Sequence, residues 1–144
     1  ARFAGADELV QETLRAFGEE IGQAFQLADD ILDVASESGE SGKTPGTDLR
    51  EGVPTLPVLI FRAQADPSDP HDARLLELLD SDLSDDARLA ETLGLLRAHP
   101  SLQQAEHDVR SRADDARKLL ADLPDGPARA ALESLCDLAV SRTV

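Results

Sequence analysis

The chain has 144 residues, enough for one domain with a sizeable core. It carries 29 acidic and 14 basic residues, for a formal net charge of −15. That balance argues against nucleic acid and anionic membrane as partners, since both call for a basic surface.

No apolar run approaches the ~20 residues of a membrane span. The start of the chain carries no secretory-signal pattern. The single cysteine, Cys136, rules out an internal disulfide and fits a reducing compartment, so a cytoplasmic protein is expected. Its expected role is that of a buried small hydrophobe. Tyr and Trp are absent, so the core must come mainly from Leu, Ala, Ile and Val.

The first long helical pattern covers residues 7–34, with Asp7 and Glu8 suited to its N-terminal dipole. At 3.6 residues per turn, Gln26, Asp29, Asp30 and Asp33 fall at i, i+3, i+4 and i+7, on one face. Gly18 and Gly22 continue that stripe. Leu14, Phe17, Ile21, Phe25, Ala28 and Leu32 form a second stripe, and Leu27, Ile31 and Val34 cover the arc beyond it. The second half is therefore apolar nearly everywhere except along the carboxylates, which predicts a buried helix. Acidic pairs on helices are most often solvated surface. Here the flanking residues are Phe, Leu, Ile and Val, and like charges at i and i+4 destabilise a helix. Buried carboxylates must face water in a cavity or hold cations. A hard divalent ion, bound through one or two carboxylates with waters and phosphates completing its shell, is the economical solution.

Residues 35–48 are dense in Gly, Ser and Pro and read as a loop, long enough to point toward function or disorder. Four Gly or Pro residues surround Lys43, so residues 36–47 are expected to close over a ligand. A short helix is predicted over 54–64, with Pro57 in its first turn. The same apolar run would fit a buried strand, but no other segment offers a strand to pair with. Residues 65–70 read as a linker and 72–79 as a short helix. Ser84 is the expected N-cap of a helix that ends near His99. A long amphipathic helix is predicted over 101–123, with Leu102, Ala105, Val109, Ala113, Ala116, Leu119 and Leu120 as its apolar positions. After a turn at 124–127, a last helix covers 128–141, with Leu132, Leu135, Leu138 and Ala139 expected inward. The fold class is all-α, in one domain over 1–144.

Three strings occur in order: F-Q-x-x-D-D-x-x-D from Phe25 to Asp33, Gly42-Lys43, and G-x-D-L-x-x-G from Gly46 to Gly52 followed by Thr55-Leu56-Pro57. On these motifs the chain resembles a trans-isoprenyl diphosphate synthase of the polyprenyl synthetase family. The likeness is close over about 18–57 and loose elsewhere; the last helix, with Leu135, Leu138, Val140 and Arg142, is similar to the family's C-terminal end. The resemblance implies the C-terminal helices of the isoprenoid synthase helical fold. It implies that Asp29, Asp30 and Asp33 hold Mg²⁺ against a substrate diphosphate. It implies catalytic roles for Phe25, Gln26 and Lys43, and substrate contacts from Gln26, Lys43, Asp48 and Arg50. The implied partners are isopentenyl diphosphate and an allylic diphosphate, which ionises to a carbocation that the alkene attacks. A homodimer is implied for the complete enzyme.

The chain also departs from the family. The family's first aspartate-rich motif has no counterpart: Asp85-Asp86 and Asp114-Asp115 lie among Arg88, Arg112 and Arg117 and read as exposed ion-pair clusters. The chain is thus expected to be roughly the C-terminal half of a synthase, inactive alone. Val53 stands where many members have Lys, with Arg50 nearby as a substitute. Two other readings are a class I terpene cyclase, which three Asp in the motif disfavour, and a non-catalytic diphosphate-binding partner subunit, which an intact motif disfavours.

Overall fold

The structure is a computed structural model that describes residues 1–36 and 45–142. Among these residues the regular structure is helical and contains no strand. In chain order the α-helices are α1 (Glu8–Ala35), α2 (Thr47–Arg50), α3 (Leu56–Gln64), α4 (Pro70–Leu79), α5 (Asp86–Ala98), α6 (Pro100–Leu119) and α7 (Pro127–Ser141). Short 3-10 turns occupy Arg2–Ala4 and Leu120–Asp122. The run around Val58 is helix, as the lack of a partner strand requires. The small helix α2 was not expected, because a four-residue turn has no periodicity to detect.

The chain divides into two compact units. The first comprises residues 1–28 and 107–144, and the second residues 29–106. The N-terminal part of α1 belongs to the first unit. Its last turns, which carry the three aspartates, belong to the second.

The core of the first unit joins Phe17, Ile21 and Ala24 of α1, Ala113 and Ala116 of α6, Leu120, and Cys136 and Ala139 of α7. Small residues dominate it, which lets helix backbones approach closely. Cys136 is fully buried, and burial pushes its thiol up, so it packs as an inert small hydrophobe. Leu135 and Leu138, expected inward, remain 38% and 50% exposed. The face of α7 that reaches the core is the Cys136–Ala139 face, with Leu132 packed partly against it. The exposed leucines lie on the adjoining arc.

The expected burial of the second half of α1 everywhere but along the carboxylates also needs correction. Its buried line runs through Phe17, Ile21, Ala24, Ala28, Ile31 and Val34, while Leu14, Phe25 and Leu32 are only half-buried. Gly18, Gly22 and Gln26 are exposed. The helix is therefore one-sided, and the carboxylates stand on the shoulder between core and solvent. The reason is geometric: steps of three and four residues from Phe17 define one straight line at 3.6 residues per turn. Leu14, Phe25 and Leu32 lie roughly 60–80° to one side of Phe17 at about 100° per residue, on the arc next to the buried one.

In the second unit, α4 and α5 pack together. Leu75 and Leu78 are buried on α4, and Leu89, Leu93 and Leu96 on α5. Phe61 of α3 is fully buried and meets the edge of His99, with ring centroids 4.9 Å apart. Helix starts follow the expected chemistry with shifts of one or two residues. Asp69 caps α4 by accepting from the His71 and Asp72 amides. Asp85, not Ser84, caps α5 by accepting from the Arg88 amide at 2.9 Å. A carboxylate accepts better than a hydroxyl beside a positive helix end. Asp86 pairs with Arg50 at 2.7 Å, and in the first unit Asp115 pairs with Lys118 at 2.8 Å. Both acidic pairs are exposed as expected, but Arg112 bonds Gln23 and Glu20 while Arg117 bonds Asp137.

The C-terminal end of α1 is closed by Arg97 of α5. Its guanidinium donates to the Val34 carbonyl at 2.8 Å and to the Ser36 carbonyl at 2.7 Å. Terminal carbonyls of a helix lack intrahelical partners, and a cation also suits the negative helix end. We expect Arg97→Ala to destabilise the second unit by about 1–2 kcal/mol, and Arg97→Lys to recover only part of that, since one ammonium does not reproduce the planar fork. Urea unfolding followed by circular dichroism measures both; an Arg97→Ala midpoint equal to that of wild type refutes this role.

Candidate functional site

The aspartates of α1 are held by the segment that follows the helix. Asp30 Oδ2 accepts the Leu56 amide at 2.9 Å, at the first residue of α3. The next residue, Pro57, has no N–H, so the start of α3 offers Asp30 a single donor there. Thr55, the N-cap of α3, is fully buried, and its hydroxyl has no partner among the described residues. Asp33 accepts the Thr47 amide on Oδ1 at 3.0 Å and the Asp48 amide on Oδ2 at 3.2 Å. Its main-chain carbonyl accepts the Gly46 amide at 2.8 Å.

Electrostatics tie Asp48 to this group. Burial pushes the Asp30 carboxyl above the ordinary carboxylate value, the Leu56 amide pulls it back, and the Asp48 and Asp29 carboxylates push it further up. Such repulsion is what a cation relieves. The donor set is all carboxylate oxygen, which fits a hard divalent ion such as Mg²⁺. Among the described residues, no group of three or more His, Cys, Asp or Glu side chains is placed to hold a metal ion. Mg²⁺ does not need such a group, because it keeps several waters and takes phosphate oxygens as further ligands.

The other residues singled out from the sequence are spread along the chain. Gln26 lies exposed on α1, one turn before Asp29 and Asp30. Phe25 packs partly against the core of the first unit, and the Arg142 guanidinium lies 5.8 Å from the centre of its ring. Arg50 turns onto the start of α5, donating to the Ser84 carbonyl at 3.1 Å and to Asp86 at 2.7 Å. Val53 is 45% exposed. Lys43 and most of the expected closing loop over 36–47 lie outside the described residues. The sequence reading missed the amide contacts to Asp30 and Asp33. Its one available signal was the order of the strings, with G-x-D and T-L-P recurring shortly after the aspartates.

The Polyprenyl synthetase family model matches residues 1–96. The chain belongs to the polyprenyl synthetase family. Nonaprenyl diphosphate synthase of Mycobacterium tuberculosis is 49% identical over 140 residues, which cover 97% of this chain and 41% of that protein. Dimethylallyltranstransferase of the same organism is 39% identical over 142 residues, covering 98% of this chain and 41% of that protein. Among solved structures, geranylgeranyl pyrophosphate synthase from Corynebacterium glutamicum, complexed with calcium and isoprenyl diphosphate, aligns with a TM-score of 0.88 at 38% identity. It is matched over 99% of this chain and 43% of its own. Polyprenyl synthase from Caulobacter crescentus, also complexed with calcium and isoprenyl diphosphate, aligns with a TM-score of 0.84 at 37% identity. The chain thus spans about two-fifths of the length of these polyprenyl synthetase relatives.

The raised Asp30 carboxyl has a consequence for stability. When the folded value lies above the unfolded one, the native state binds the proton more tightly. The group's favourable contribution is then present in acid and is lost as pH rises through the folded value. Asp30→Asn removes the charge, and its side-chain oxygen can still accept the Leu56 amide. In metal-free buffer we expect the Asn variant to gain on wild type in melting temperature as pH rises from the acid range to 7. Paired thermal melts at both ends of that range check this; an Asn variant that falls behind as pH rises refutes it.

Proposed function

We propose that this chain is the portion of a prenyltransferase that holds the leaving diphosphate, within a single helical synthase domain that condenses isopentenyl diphosphate with an allylic diphosphate. The observation that carries this reading is the Phe25–Asp33 motif. It lies on one helix whose last turns set Asp29, Asp30 and Asp33 on the shoulder between core and solvent, with Asp48 acting electrostatically on Asp30. Two solved relatives were crystallised with calcium and an isoprenyl diphosphate, which supports a divalent ion and a diphosphate as the ligands.

Mg²⁺ bound by Asp29, Asp30 and Asp33 would neutralise the diphosphate as a Lewis acid and orient it. The chain's own residues then have distinct tasks. Gln26, exposed one turn before Asp29 and Asp30, can donate through its amide to a diphosphate oxygen. Phe25, half-buried against the core of the first unit, would offer an aromatic wall to an electron-poor allylic group. Lys43, which lies outside the described residues, would bring a point charge to the diphosphate. Asp48 extends the carboxylate group. Arg50, held by Asp86 in this structure, would have to exchange that partner to reach the substrate. The same reading makes the enzyme a cytoplasmic homodimer. Among the described residues, no helix is long and apolar enough to cross a membrane.

Asp29 is expected to carry the largest share of metal binding, with Asp30 or Asp33 assisting, because it stands nearest the centre of the stripe that runs from Gln26 to Asp33. In the complete protein, Asp29→Ala should lower turnover by ~10² or more through lost leaving-group stabilisation. Asp115→Ala, which removes only an exposed pair with Lys118, should leave it nearly unchanged. Steady-state assays with isopentenyl diphosphate, an allylic diphosphate and excess Mg²⁺ decide the matter, and near-normal turnover of Asp29→Ala removes the assignment.

A further inference from the structure

Asp33 differs from Asp30 in how it is held. Three consecutive amides converge on it: Gly46 on its carbonyl, Thr47 on Oδ1 and Asp48 on Oδ2. Asp30 receives one amide on Oδ2, and its Oδ1 accepts no hydrogen bond among the described residues. The 46–48 turn is also gripped from its other side. Gly46 is buried at φ +76°, and a Cβ there would stand 2.8 Å from Leu89 Cδ1 and 3.2 Å from Leu93 Cδ1. Leu49 is 5% exposed, and the Val53 amide closes the turn onto the Asp48 carbonyl at 2.8 Å. The turn therefore has little freedom once Asp33 is in place.

We propose that Asp33 is a positioning residue: it clamps the Gly46–Asp48 turn through its main chain and both side-chain oxygens, and so keeps the Asp48 carboxylate with Asp29 and Asp30 in one cation-attracting group. Asp33 acts on the ion through the turn and not as one of its ligands, which narrows the metal-holding aspartates of α1 to Asp29 and Asp30. Carboxylates hydrogen-bonded to fixed backbone groups orient the ligands beside them, and loss of such a partner typically costs 10–100-fold in metal affinity. The role of the clamp rests on the metal-binding reading above, and the test separates the two.

The experiment uses the full chain, with hydrogen exchange in metal-free buffer and Tb³⁺ luminescence as the probe of an oxygen-ligated cation site. Asp33→Ala should speed exchange at the Thr47 and Asp48 amides about fivefold or more, the effect of losing a side-chain cap. Asp33→Asn keeps a side-chain oxygen acceptor and should restore much of that protection. Asp33→Ala and Gly46→Ala should both weaken Tb³⁺ binding by ~10-fold or more, although the second leaves every carboxylate in place. Asp33→Asn should stay within about threefold of wild type, because the oriented turn survives. Unchanged exchange in Asp33→Ala overturns the clamp, whatever the metal does. Asp33→Asn losing Tb³⁺ as fully as Asp29→Ala while keeping its amide protection makes Asp33 a direct ligand and overturns the proposal. Tb³⁺ binding that survives both Asp29→Ala and Asp30→Ala overturns the metal reading, and with it the role assigned to the clamp, while the exchange data still judge the hydrogen bonds themselves.

Discussion

Placing several carboxylates on one short stretch of helix is the constraint on which the second unit depends. Asp29 and Asp33 are one turn apart and Asp30 lies beside them, so helix geometry alone brings like charges together. The chain offsets this with backbone amides. The turn at 46–48 and the start of α3 each direct N–H groups at an aspartate, and Arg97 closes the carbonyl end of the same helix. The last turns of α1 therefore serve as the hub on which the following segments are fixed. The residues that give this stretch its chemistry also set the path of the chain after it.

That arrangement explains why the strings after the aspartates have the composition they do. Gly46 must turn with positive φ against Leu89 and Leu93, where a side chain has no room. Thr55 sits at the cap of α3 with an extended backbone, and Pro57 follows in its first turn. The Leu56 amide lies between them and is left for Asp30. A hydroxyl buried without a partner at Thr55 and a carboxyl raised by its neighbours at Asp30 both cost stability. Features of that kind concentrate where a protein binds or reacts.

The first unit follows a different logic. Its core is assembled from Ala24, Ala113, Ala116, Cys136 and Ala139 around Phe17, Ile21 and Leu120. Alanines let helices approach closely at low entropic cost. Close approach also explains why the larger Leu135 and Leu138 lie outside the contact on α7.

Much of this was legible in the sequence. The 3.6-residue period of the apolar positions, the Pro and Gly punctuation and the N-terminal acidic residues gave the order of the longer helices and most of their ends to within two residues. The carboxylate face of α1 followed from spacing alone, as did the burial of Ala105, Val109, Ala113 and Ala116 on α6, while that of Cys136 followed from its residue type. Family membership was visible in the order of the F-Q-x-x-D-D-x-x-D, G-x-D-L-x-x-G and T-L-P strings. These are local signals, set by neighbours a few positions apart.

Tertiary structure decided the rest. Periodicity marks a helix as amphipathic but does not weigh neighbouring arcs of it, so the burial of α1 was overestimated and Leu135 and Leu138 were counted with Leu132 and Ala139 on the inner face of α7. Ser84 was the expected cap of α5; the folded backbone puts Asp85 there instead, with extended geometry and its side chain on the Arg88 amide. Arg50 on Asp86, Arg97 on the end of α1 and the amides on Asp30 and Asp33 join residues 14 to 63 positions apart. No local pattern encodes such pairings, because each depends on how the intervening helices pack. The sequence by itself determined which residue types the site contains and which helix presents them. Only the packed chain decided which aspartates are held by backbone amides, since the donors come from segments whose positions are set by burial elsewhere.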